Sequence, residues 1–186
     1  QAAAAVTLYR ETYIEIPDMW SQLETAAKCA VRDGGSHSAL NDTVAFVLMK
    51  DCLRFRLPSG RCLNYWKPEI RNVETPWGQV KPALTYLGRH QTSGKVDRLS
   101  TRGPKIAENA VQAFARDILA IALARAESAG FEVIGHSHDE IIALAPDDRD
   151  DLDHARLAEV ICKPIDWAPG LPLSAAGYSA LRYRKD

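Results

Sequence analysis

A chain of 186 residues is long enough for a domain with a real core, and its 46% hydrophobic and 25% charged residues exclude a low-complexity or disordered polymer. A net charge of −1 excludes a uniformly basic binder of nucleic acid. No apolar run reaches the roughly 18 residues of a membrane span, so no membrane partner is expected.

Residues 1–6 are Ala-rich and apolar but carry no basic segment or cleavage pattern, so they read as a helix entered part-way rather than a signal peptide. Helices are predicted over residues 3–15 and 17–33. In the second, Trp20, Leu23, Ala27, Ala30 and Val31 form one apolar stripe, Pro17 fits the start, and Gly34-Gly35 ends it. Strands follow. Residues 44–49 are apolar and β-rich, and Leu53, Phe55 and Leu57 alternate with Arg54 and Arg56. Pro58-Ser59-Gly60 is a turn, residues 61–66 return as the partner strand, and residues 83–87 make another short strand. Residues 88–104 are polar and rich in turn formers and are predicted to be a long loop.

A long helix is predicted over 106–129, stopped by Gly130, with Val111, Phe114, Ala115, Ile118 and Ala122 on its apolar face. Asn109, Gln112 and Arg116 fall at i, i+3 and i+7 and make a separate polar stripe. Two short strands, 132–137 and 140–145, are joined by His138-Asp139. The acidic run 147–153 fits a helix start, and the tail from 167 to 186 is punctuated by Pro and Gly.

Charge is segregated along this order. Residues 1–49 carry 3 Lys/Arg and 6 Asp/Glu, residues 50–105 carry 12 and 4, and residues 106–186 carry 8 and 14. A basic middle between acidic ends offers a track for phosphates. Cys29, Cys52, Cys62 and Cys162 are widely spaced and lack a C-x-x-C pair, so reduced thiols in a cytoplasmic protein are expected and a zinc site is not.

The stretch from Val133 to Ile142 sets Asp139-Glu140 at a hairpin tip between apolar strands. A carboxylate held there by the sheet suits Mg²⁺, which prefers hard oxygen donors and is commonly bound by one or two carboxylates plus substrate phosphates. An Asp in a turn is equally an ordinary turn former. Context favours the ligand. His138-Asp139-Glu140 resembles motif C of the family A (DNA polymerase I-like) DNA polymerases. Glu108-Asn109-Ala110-Val111-Gln112-Ala113, then Arg116-Asp117, is similar to the helix that precedes motif C in phage-type members. Leu57-Pro58-Ser59-Gly60-Arg61 with Tyr65 resembles a hairpin of that branch. Trp167-Ala168-Pro169-Gly170-Leu171-Pro172-Leu173, with Tyr183 and Lys185, is similar to the end of these chains.

The resemblance runs from about Tyr9 to the C-terminus. It implies a single α+β palm-type fragment over residues 1–186, with an antiparallel hairpin and sheet packed on long helices. It implies template-directed nucleotidyl transfer: a primer 3′-OH attacks the α-phosphate of a deoxynucleoside triphosphate and pyrophosphate leaves, with two Mg²⁺ ions only partly held by this chain. Asp139 matches the metal-binding carboxylate, and Glu140 its supporting acidic neighbour. His138 matches the residue beside the primer terminus, and Gln112 a minor-groove contact at the newest base pair, with Asn109 and Arg116 on the same stripe. Lys105 and Arg61 match further DNA contacts. Primer-template DNA, deoxynucleotides and an upstream polymerase half are the implied partners, in a bacterial or phage-infected cytoplasm.

Two departures stand out. The usual Thr-Tyr-Gly-Gly-Lys is here Thr101-Arg102-Gly103-Pro104-Lys105. Motif A, with the second metal carboxylate, and motif B, with the Arg and Lys that hold the triphosphate, are not found and would lie before Gln1. A truncated polymerase, one subunit of a split polymerase, and a non-catalytic nucleic-acid-binding or structural prophage remnant therefore remain open.

Overall fold

Helix α1 (Ala2–Thr12) buries none of its residues, whereas α2 (Glu15–Asp33) buries Leu23, Ala27 and Ala30 of the expected stripe together with Ala26, and leaves Trp20 and Val31 half-buried. The coordinates come from a computed structural model that describes residues 2–75, 78–146, 148–149 and 151–183. Pro17 sits in the first turn of α2, where no intrahelical N–H partner is needed, and Gly34 ends the helix at φ +72°. The chain divides into two compact units, the first ending at Gln112 and the second starting at Ala113.

The first unit is built on a six-stranded antiparallel sheet in which every strand pairs with the next one in sequence. Its strands are β1 (Ser36–Ala39), β2 (Val44–Met49), β3 (Cys52–Arg56), β4 (Cys62–Glu74), β5 (Val80–Arg89) and β6 (Val96–Thr101). The alternation in β3 is real: Leu53, Phe55 and then Leu57 are buried, and Arg54 and Arg56 are exposed. Phe46 pairs with Phe55 across the β2–β3 ladder, their rings stacked 4.3 Å apart. Gly60, at φ +86°, closes the Pro58-Ser59-Gly60 turn, with its N–H on the Leu57 carbonyl at 2.9 Å. A bulge between Trp66 and Glu69 takes up Pro68, which lacks the N–H that a ladder needs.

Two expectations are corrected here, and strand β1 is an addition to them, its Ser-His-Ser-Ala paired with β2. Strands β4 and β5 run well beyond 61–66 and 83–87. The stretch 88–104 is not a long loop, since β6 and the start of a helix lie within it. Edge strand β6 is polar because only one of its edges is paired, yet it sets Thr101 and Leu99 against the buried side of β5.

Helix α3 (Gly103–Ser128) opens three residues earlier than predicted, with Pro104 in its first turn. Its buried side is also different. Val111 is 58% exposed and Ala115 is exposed, while Ile106, Ala107, Ala110, Ala113, Leu119, Ala122 and Ala126 are buried. Phe114 and Ile118 are half-buried. Its N-terminal end closely approaches α2. A Cβ on Gly103 would lie 2.2 Å from the Trp20 carbonyl oxygen, so the first residue of α3 has no room for a side chain. The Glu24 carboxylate of α2 accepts the Gly103 N–H at 2.7 Å, which caps α3 from another helix.

The second unit holds the rest of α3, the hairpin β7 (Glu132–Ser137) and β8 (Glu140–Leu144), and α4 (His154–Ile161). Gly130, at φ +99°, and Phe131 return N–H groups to Glu127 and Ala126 in a Schellman closure of α3. Ala126, Phe131 and Leu152 form a buried cluster joined by Val133 of β7, Ala143 of β8, and Leu157 and Ile161 of α4. Asp153 caps α4, accepting the Arg156 N–H at 2.7 Å. Asp147 and Asp150 of the predicted acidic helix start lie outside the described residues, as does Lys185. The remaining described tail is irregular, as its Pro and Gly content implied.

Candidate functional site

The hairpin register pairs Val133 with Ala143, Gly135 with Ile142, His136 with Ile141, and Ser137 with Glu140, leaving His138-Asp139 as a two-residue tip. His138 takes φ +51°, which two-residue hairpin turns require at the first tip position. Apolar Val133 and Ala143 anchor the base of the hairpin in the cluster under α3. His138 and Asp139 are exposed, and Glu140 is half-buried at the first position of β8. Among the described residues the Asp139 carboxylate has no hydrogen bond or ion pair. Glu140 differs: Tyr183 Oη donates to its Oε2 at 3.3 Å. Partial loss of solvation, then the Glu140 charge, raise the Tyr183 hydroxyl above the usual tyrosine range. Tyr183 was noted in the sequence only as part of the chain end; its contact with Glu140 is tertiary and has no local signal.

This donor set suits a hard divalent cation such as Mg²⁺. It offers one unpaired carboxylate at a hairpin tip and a second beside it. Among the described residues no group of three or more His, Cys, Asp and Glu gathers around one point, so further ligands would be substrate oxygens, water or other carboxylates. All four cysteines are free thiols; burial pushes the Cys52 thiol up.

The α3 residues divide by exposure. Gln112 and Arg116 are exposed, and Asn109 is half-buried with its Nδ2 donating to Tyr65 Oη at 3.1 Å. Burial raises the Tyr65 hydroxyl, and its ring meets Tyr86 edge-on with centroids 5.0 Å apart. Lys105 pairs with Glu108 one turn on, at 2.6 Å. Arg61 is exposed at the end of the Leu57–Arg61 turn, where its carbonyl accepts the Leu57 N–H at 2.9 Å. Arg61, Lys105, Asn109 and Gln112 belong to the first unit, and Arg116, His138, Asp139 and Glu140 to the second.

Over 181 residues, 97% of its length, the chain is 39% identical to a protein named DNA polymerase from Bacillus phage SP02. The chain spans 27% of that curated relative's length. No protein-family model and no solved structure matches the chain. No helix among the described residues is long and apolar enough to cross a membrane.

Proposed function

We propose that this chain is the motif C-bearing, palm-forming C-terminal part of a family A DNA polymerase, acting in template-directed nucleotidyl transfer. The observation that carries the reading is Asp139. It is an exposed, unpaired carboxylate at the tip of a cluster-anchored hairpin, in a chain 39% identical to a phage protein named DNA polymerase.

In this reading Asp139 holds one side of a metal pair. Two Mg²⁺ ions, when bound, would supply charge stabilisation to the attacking and leaving oxygens. Glu140, whose Oε2 accepts from Tyr183, supports the tip rather than replacing the second carboxylate. His138 lies against the primer terminus. Gln112, exposed on α3, donates to minor-groove acceptors of the new base pair. Those acceptors are nearly independent of sequence, so an amide there checks pair shape without reading it. The second carboxylate and the cations that hold the triphosphate come from polypeptide outside this chain, so the chain by itself binds DNA without extending it.

The test is primer extension with Mg²⁺ and four deoxynucleotides, using the chain alone, the chain with its upstream half, and that pair carrying Asp139→Ala. Extension by the intact pair only is the expected result. Robust extension by the chain alone, or by the Asp139→Ala pair, overturns the reading.

A further inference from the structure

The six-stranded sheet has two unlike faces. On one, Phe46, Leu53, Phe55, Tyr65 and Leu84 are buried, and Tyr65 meets Asn109 of α3. The opposite face follows from the register. Arg54 lies between Val47 and Asn64, and Arg56 between Ala45 and Cys62. Cys52 lies between Met49 and Trp66, and Trp66 is followed across β5 and β6 by Leu87 and Arg98. Arg54, Arg56 and Asn64 are exposed, Trp66 is 56% exposed and Met49 49%. Trp66 is diagonal to Arg54 across the ladder, within reach of a long side chain. Lys67, held at φ +46° by the bulge, follows it directly.

Glu69, an acidic residue of this face, is already paired. Glu69 accepts from Arg71 at 2.6 Å and from Arg98 at 2.8 Å, and the Arg71 bond leads in holding its carboxyl below the usual range. Arg98 also donates to the Lys67 carbonyl at 3.0 Å and to Thr85 Oγ1 at 3.2 Å, which fixes the bulge beside Trp66. Arg54, Arg56 and Lys67 have no carboxylate partner among the described residues.

We infer that this open face is a platform for single-stranded DNA, on which Trp66 stacks a base and Arg54, Arg56 and Lys67 neutralise phosphates. An exposed indole with unpaired cations along the same face fits an unpaired strand. Every base has a π-face to stack, and the cations track the backbone without reading sequence. A duplex keeps its bases stacked inside and offers this indole none. Arg54, Arg56 and Lys67 belong to the basic stretch 50–105. The inference concerns the first unit, not the Asp139 hairpin, and rests on the polymerase reading only for the choice of DNA.

The test is fluorescence anisotropy of a labelled oligothymidylate, and of a duplex of equal length, titrated with the 186-residue chain across a salt series without nucleotide or Mg²⁺. The single strand should bind more tightly than the duplex. Trp66→Ala should weaken it by about tenfold or more, and Trp66→Phe should retain most of the affinity. The double variant Arg54→Ser, Arg56→Ser should lower the log–log salt slope by about 1.4, at roughly 0.7 per phosphate. All three positions are exposed, and circular dichroism verifies that each variant folds. Trp66→Ala binding equal to the parent, an unchanged salt slope, or preference for the duplex would each overturn the inference. None of these results bears on Asp139-dependent extension, so the two readings fail separately.

Discussion

Replacing Gly103 with alanine sets two effects of opposite sign against each other. Local propensity favours alanine in a helix by up to about 1 kcal/mol. Packing opposes it, because the added Cβ would lie 2.2 Å from the Trp20 carbonyl oxygen, 2.7 Å from its carbon and 2.9 Å from the Trp20 Cβ. Ordinary carbon–oxygen approach is about 3.3 Å. Relief therefore requires the start of α3 and α2 to part by roughly 1 Å, since the obstacle is backbone and cannot rotate away. That movement stretches the 2.7 Å bond from the Gly103 N–H to Glu24. Overpacking costs about 1–3 kcal/mol, and a hydrogen bond to a charged group is worth about 1.5–3 kcal/mol. The net expectation for Gly103→Ala is a loss of about 2–4 kcal/mol. Urea denaturation followed by circular dichroism should show a lower midpoint. A variant as stable as the parent, or more stable, would mean that α3 does not meet α2 at this distance.

Glu24→Gln should cost about 1–2 kcal/mol at neutral pH, read from the same melts. Burial pushes the Glu24 carboxyl up, but the Lys28 and Gly103 bonds outweigh it and hold the folded value below the usual one. Its stabilisation is thus full above the unfolded carboxylate range and is lost as pH falls through the folded value, so the glutamine variant should have a flatter acid limb. Tyr65 behaves oppositely. Burial raises its hydroxyl, so the unfolded chain gives up the proton first and stability falls as pH rises past about 10; Tyr65→Phe should remove that part of the alkaline loss. Val111→Asp should change stability by no more than about 0.5 kcal/mol, whereas Ile106→Asp, at a fully buried site, should prevent cooperative folding in a thermal melt.

Much of this was legible where a period or a breaker was strong. The Leu53-Arg54-Phe55-Arg56-Leu57 alternation located β3 and its faces, Gly130 marked the end of α3, and His138-Asp139 marked the hairpin tip. What escaped was tertiary. Strands β1 and β6 are polar segments whose extended state comes from pairing with β2 and β5. Helix α3 shows its bulky residues most clearly in the sequence, yet most of what it buries is alanine, and at Gly103 the backbone of α2 leaves no room for a side chain. At the candidate site the carboxylate at the tip could be read locally. The Tyr183–Glu140 and Asn109–Tyr65 bonds span 43 and 44 residues and could not.

In the proposed function Asp139 is an essential carboxylate of nucleotidyl transfer and Glu140 its support. Single-turnover incorporation of one deoxynucleotide by the complete enzyme tests this most directly, comparing Asp139→Asn with Glu140→Gln. Losing a carboxylate that sustains several kcal/mol of transition-state stabilisation predicts a fall of at least about 10³-fold for Asp139→Asn, with Glu140→Gln within about tenfold of the parent. Comparable rates for Asp139→Asn and the parent, or a larger loss at Glu140 than at Asp139, would contradict the account.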